Sequence, residues 1–242
     1  MNNTRRTTTF IGAMMLAALA TAGSAATANH TLHGLFALAV LALAAMTSRM
    51  KVKLPGIDGN MSVNLPFLLT AVVNLSAAEA VVITCASTAV QCWPRRNAKF
   101  NRQQMTFNLS MMAFATASAS LIFHSEAFNR TLWHSSTLAL VLATITLFLG
   151  QTAPVAGIIA ASEGKSAAQV WLSVAQLSFP YYVVSAGVTT MVQAMSAHLG
   201  WGLALAVFPV MYAIHRSYRL YFSAMVESLR PEGLVRAASA GA

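Results

Sequence analysis

Along the chain, hydrophobic positions gather into long runs separated by short polar stretches. The runs cover residues 10–28, 32–46, 65–73, 77–93, 105–123, 132–161, 168–195 and 201–221. An apolar stretch of about 18 residues or more is long enough to span a bilayer as a helix. The pattern therefore predicts an all-α fold, a polytopic transmembrane helical bundle of seven or eight membrane segments. The third run is too short to cross at about 1.5 Å of rise per residue, which predicts a half-helix or a re-entrant segment. The sixth contains Gly150, Gln151 and Pro154, and the seventh contains Pro180, so each is expected to kink or tilt.

The first run follows Arg5 and Arg6. A basic start, a short apolar core and Ala26-Thr27-Ala28 also describe a secretory signal peptide. We read residues 1–28 as an uncleaved helix (or a signal peptide), 29–223 as the membrane bundle and 224–242 as a short cytoplasmic tail. The topology of the bundle is the same in either case.

Composition strengthens this picture. Hydrophobic residues make up 57% of the 242 and charged residues only 9%, against about a quarter charged in an average soluble domain. The net charge of +9 would suit a nucleic-acid binder, but the charges lie in the loops between apolar runs. With eight crossings and a cytoplasmic N-terminus, every basic residue except Arg130 falls on the cytoplasmic side, as the positive-inside rule requires. A re-entrant hairpin at the third and fourth runs preserves the pattern. This predicts a multi-pass membrane protein with a cytoplasmic C-terminus and no nucleic-acid partner.

The stretch 49–67, RMKVKLPGIDGNMSVNLPF, breaks the apolar pattern most sharply. Three positive charges are followed by Pro55, Gly56 and Gly59, then by polar residues leading into Pro66. Irregular backbone inside a membrane persists only where protein buries it or where it lines a cavity. Asp58, Asn60, Ser62 and Asn64 are thus candidate ligand contacts. A plain cytosolic turn, with Asn60 or Ser62 capping the next helix, is the simpler alternative. The loop lacks the Gly-Lys-Ser/Thr ending of a phosphate loop. Gln151 and the pair Tyr181–Tyr182 after Pro180 are further candidates for a pocket wall. Their alternatives are amide bonding between helices and aromatic packing at a kink. Asn74, Glu79, Gln91, Asn108, Gln176 and Gln193 are polar groups of the same kind.

Other chemistry is sparse. Cys85 and Cys92 lie about 10 Å apart along one predicted helix, too far for a disulfide. His30, His33, His124, His134 and His198 fall at predicted outer helix ends and His215 at an inner one. They suit a pH or metal sensor but equally an interfacial belt, and none has metal-ligand spacing. With no nucleophile–base–acid set, metal-ligand cluster or cofactor fingerprint, we expect neither an enzyme nor a cofactor.

The segment SRMKVKLPGIDGNMSVNLPFLLTAVVNLSAAEAVVITCASTAVQCW (48–93) resembles the N-terminal integral membrane region of bacterial sensory proteins whose output domain is of the HD-GYP or GGDEF cyclic di-GMP type. QQMTFNLSMMAFA (103–115), VAGIIAASEGKSAAQVW (155–171), SFPYYVVSAG (178–187) and IHRSYRLY (214–221) extend the likeness over most of the chain. In such proteins the last of these segments runs into a linker and a catalytic domain. Here no HD pair, GYP or GGDEF motif follows, so the resemblance implies an input module without its output. The expected function is ligand binding or sensing in the membrane, passed through the last helix to a cytoplasmic partner or a second copy docked at Arg216, Tyr218 and Arg219. Those three residues would otherwise be a positive-inside anchor. The rival is a small-molecule transporter or a substrate-binding subunit of the vitamin-uptake type, similar in architecture alone.

Overall fold

A computed structural model describes residues 3–27, 34–53, 60–94, 100–125 and 136–199, and parts of 209–224. Seven helices and one small ribbon account for most of this. They are α1 (Asn3–Thr27), α2 (Gly34–Ser48), β1 (Lys51–Lys53), β2 (Asn60–Ser62), α3 (Leu65–Asn74), α4 (Ala77–Cys92), α5 (Arg102–Phe123), α6 (Ser136–Glu163) and α7 (Ala167–Leu199). The described residues between 209 and 224 are also helical.

Among the described residues three helices are long and apolar enough to cross a membrane, over Arg5–Thr27, Arg102–Phe123 and Thr137–Glu163. Helices α2, α3 and α4 are apolar but shorter. The side chains are not distributed as in a water-soluble fold. Leu16, Leu19, Leu35, Leu38, Val82, Leu149 and Val183 point outward, whereas Thr47, Thr84, Thr116, Ser120, Ser185 and Thr189 are fully buried. An apolar exterior suits lipid, and small hydroxyl residues inside let helices approach closely. Three of these hydroxyls bond back to their own helix, as Thr47 Oγ1 does to Leu43 O and Ser185 Oγ to Tyr181 O, whereas those of Thr84, Thr116 and Ser120 have no partner.

Helix α5 packs against α1, α4 and α6, and α6 packs in turn against α1 and α7. Gly150 sets the α5–α6 spacing, because a Cβ there would lie 2.8 Å from the Ala115 Cβ. Gly157 faces the Phe10 ring of α1 at the same distance. Gly164, at φ 70°, ends α6 by donating its N–H to Ala160 O at 2.9 Å, the left-handed stop that favours glycine.

Helix α3 lies inside the bundle, against α2, α4, α5 and α7, with every residue from Leu65 to Val73 buried. A helix that is apolar all round belongs in such a place. Its ten residues give a length of about 15 Å, half the thickness of a bilayer core. His124, just past α5, bonds through Nε2 to Val72 O at 3.0 Å, so the C-terminal end of α3 is level with the end of α5. The N-terminal end of α3 therefore begins near the middle of the bundle.

The chain before α3 reaches this depth as an antiparallel ribbon, with Lys51 opposite Ser62, Val52 opposite Met61 and Lys53 opposite Asn60. Asn60 and Ser62 are strand residues rather than helix caps, which corrects the simpler expectation for the loop. The N-cap position of α3 is Asn64, whose side chain makes no capping bond. Pro66 in the first turn has no N–H to cap. At the far end, Ser76 and Glu79 form a complete capping box that starts α4, which gives Glu79 a structural role.

Candidate functional site

At the junction of α3, α6 and α7, two adjacent tyrosines hold the elements together. The Tyr181 hydroxyl accepts the Leu65 backbone N–H at 3.1 Å. The Tyr182 hydroxyl donates to Gln151 Oε1 at 2.6 Å. One helix thus holds the first turn of α3 with one residue and the middle of α6 with the next. Tyr181 lies about 21 Å from the Ala167 end of α7 and Gln151 about 18 Å from the Glu163 end of α6, so both sit deep in the bundle. Phe148 meets the Tyr182 ring edge-on at 5.0 Å and the Phe179 ring at 6.0 Å, fixing the α6–α7 seam. Thr189 adds a second, longer tie from α7 to α3, donating to Pro66 O at 3.4 Å.

Beside this junction lies a cavity of about 470 Å³, within the range of small-molecule sites. Leu65, Leu68, Phe107, Met111 and Val155 supply apolar wall, and Ser62, Asn64, Gln151, Tyr181 and Tyr182 supply polar wall. Five of the residues that the sequence nominates as ligand contacts therefore border one space. Asn60 lies in β2, next to that space in sequence. Asp58 falls outside the described residues. Arg216 and Arg219 are exposed on helical backbone and do not border the cavity, and Tyr218 is not described.

The wall has a distinctive electrostatic character. No Asp, Glu, Lys, Arg or His is among its described residues, whereas Asn64, Gln91, Asn101, Gln103, Gln104, Asn108 and Gln151 all are. Two of these amides are only half satisfied. Asn64 Oδ1 accepts the Ser62 hydroxyl at 2.7 Å, and Gln151 Oε1 accepts the Tyr182 hydroxyl. Asn64 Nδ2 and Gln151 Nε2 are buried without a partner. The Thr88 hydroxyl, in the same wall, has none either. A buried polar group left without a partner costs about 1–3 kcal/mol, so such groups in a cavity wall call for an explanation.

Other polar groups are absorbed by structure. Asn108 Nδ2 donates to Cys92 Sγ at 3.3 Å, joining α5 to α4. Asn101 caps α5 by accepting from Gln104 N at 3.1 Å, and Trp171 Nε1 donates to Thr152 Oγ1 at 3.2 Å between α7 and α6. Cys85 and Cys92 are free thiols. Among the described residues no group of three or more His, Cys, Asp or Glu could hold a metal ion.

The contribution of Asn101, Gln103 and Gln104 to the wall is not apparent from sequence, where they read as the tail of a basic loop. Their clustering as three amides within four residues at the start of α5 is the signal available. Thr88 carries no signal, being one of many threonines in apolar helices. No protein-family model, curated protein or solved structure matches this chain.

Proposed function

We propose that this protein is a multi-pass membrane protein of the bacterial inner membrane, with seven or eight segments and a cytoplasmic C-terminus, that binds a small molecule in the cavity between the ribbon, α3, α5, α6 and α7. The observation that carries the reading is the pair Asn64 and Gln151. Both are held by internal bonds through their oxygens, both have a buried nitrogen without a partner, and both border the same cavity, which has no charged side chain among its described residues. A bound molecule supplies the missing partner.

In the leading form of this reading the protein is a sensory input module, in keeping with its resemblance to the membrane regions of cyclic di-GMP signalling proteins. Ligand at Asn64 and Gln151 shifts the Tyr181–Tyr182 clamp, α7 moves with it, and the last helix presents Arg216, Tyr218 and Arg219 to a cytoplasmic partner or a second copy. One observation favours a transporter as the second form. Helix α3 starts in mid-bundle beside the cavity, and interrupted helices of this kind often frame the midplane sites of transporters.

Reconstituted vesicles separate the two forms. A molecule that co-purifies with the protein is offered to proteoliposomes, and its binding and uptake are followed together. Saturable binding without accumulation supports the sensor, and protein-dependent accumulation supports the transporter. Neither binding nor accumulation would count against the ligand-binding reading itself.

A further inference from the structure

The cavity wall also specifies the chemistry of what it takes, an inference that rests on the ligand-binding reading. The oxygens of Asn64 and Gln151 are occupied by the Ser62 and Tyr182 hydroxyls, and what remains at each is N–H. The terminal amide torsion is soft, so either nitrogen can turn toward the cavity where the Ser62 or Tyr182 hydroxyl follows the oxygen. At these two positions the amide group left unpaired is therefore a donor.

A carboxylate or phosphate would satisfy donors too, but it would bring a charge into a wall with no Lys, Arg or His among its described residues. An unpaired buried ion carries a heavy desolvation cost. A cation would meet no carboxylate among the described wall residues and would face the two unpaired amide N–H groups. The apolar wall at Leu68, Phe107 and Met111 requires a hydrophobic body.

We infer that the cavity takes an uncharged molecule with an apolar body and two carbonyl-type acceptors, one received by the Asn64 amide nitrogen and the other by the Gln151 amide nitrogen. Such a molecule can arrive from the bilayer or from water.

A matched pair of probes tests this on the full-length protein in mild detergent. One is an N-octanoyl amino lactone, neutral, with amide and lactone carbonyls. The other is its ring-opened form, which keeps the chain and adds a carboxylate. The lactone is expected to bind at least about tenfold more tightly than the carboxylate. Asn64→Asp and Gln151→Glu keep the acceptor for Ser62 and Tyr182 while removing the nitrogen, and each is expected to weaken lactone binding by about 3- to 10-fold. Asn64→Leu and Gln151→Met, which add no acid, are expected to show the same loss. They keep the test valid if an acidic variant folds poorly. A four-carbon chain, which stays in water, and the eight-carbon chain, which partitions into lipid, identify the route of entry. Equal or tighter binding of the carboxylate would overturn the inference and leave the cavity as a binding site. So would lactone binding that all four variants leave unchanged. Failure of both probes to bind would overturn the inference, and the cavity reading would fall with it only if the protein also purified without any bound molecule.

Discussion

The Tyr181 hydroxyl accepts the backbone N–H of Leu65 at 3.1 Å across 116 positions of sequence. Helix α3 starts in the interior, its second residue is a proline, and the side chain at its N-cap does not cap it. A residue on another helix therefore does the work of a cap. Tyr181→Phe should leave a buried N–H without its acceptor and lower stability by about 1–3 kcal/mol. Thermal unfolding in detergent checks this, and a Tyr181→Phe midpoint equal to that of the parent would show that the contact contributes nothing.

Tyr182 makes the opposite kind of bond, donating to a residue of the cavity wall. Tyr182→Phe should free Gln151 Oε1 and let the amide rotate. The expected result is a change in ligand binding larger than the change in melting temperature. Comparing both readouts in both tyrosine variants separates the structural residue from the site residue.

Gly150 and Gly157 lie on one side of α6 and meet different neighbours. A Cβ at Gly150 would press on the Cβ and Cα of Ala115, at 2.8 and 3.1 Å, and a Cβ at Gly157 would press on the Phe10 ring. Backbone cannot turn aside, but a ring can. Gly150→Ala should cost about 1–3 kcal/mol through overpacking, and Gly157→Ala should cost less. The order of the two melting temperatures is the test.

Glu79 accepts from the Ser76 N–H at 3.0 Å and from the Ser76 hydroxyl at 2.8 Å. A capping role predicts that Glu79→Gln, which can still accept, is tolerated. Ser76→Ala should cost about 0.5–2 kcal/mol. Binding at the cavity should be unaffected by Glu79→Gln, since Glu79 does not border it. A loss of binding in that variant would give the carboxylate a functional role.

Much of the architecture is legible in the sequence because helix ends are written in local chemistry. Pro66 marks the start of α3, and Ser76 with Glu79 marks the start of α4. The shortness of the third apolar run predicts its half-length. The ribbon is not legible, because Lys51–Lys53 and Asn60–Ser62 are three residues each, too short for their polar–apolar–polar alternation to mark a strand. Ser62, Asn64, Gln151, Tyr181 and Tyr182 stand out as polar residues in apolar surroundings, and that contrast is what nominates them. Their convergence depends on α7 crossing α3, a contact between residues more than a hundred positions apart. Gln103 and Gln104 sit beside charges in the sequence, so nothing local separates a wall residue from a loop residue there. Thr88 lacks a bonding partner as Thr84 and Thr116 do, and what sets it apart is its place in the cavity wall, a property of the packed structure.

The most direct test is native mass spectrometry of the full-length protein purified in mild detergent, beside Asn64→Leu and Gln151→Met prepared the same way. The account predicts a defined small molecule on the parent protein that is lost or markedly depleted in both variants, with all three folded by circular dichroism. A parent protein that is empty across several detergents would contradict it. So would a bound molecule retained equally by both variants.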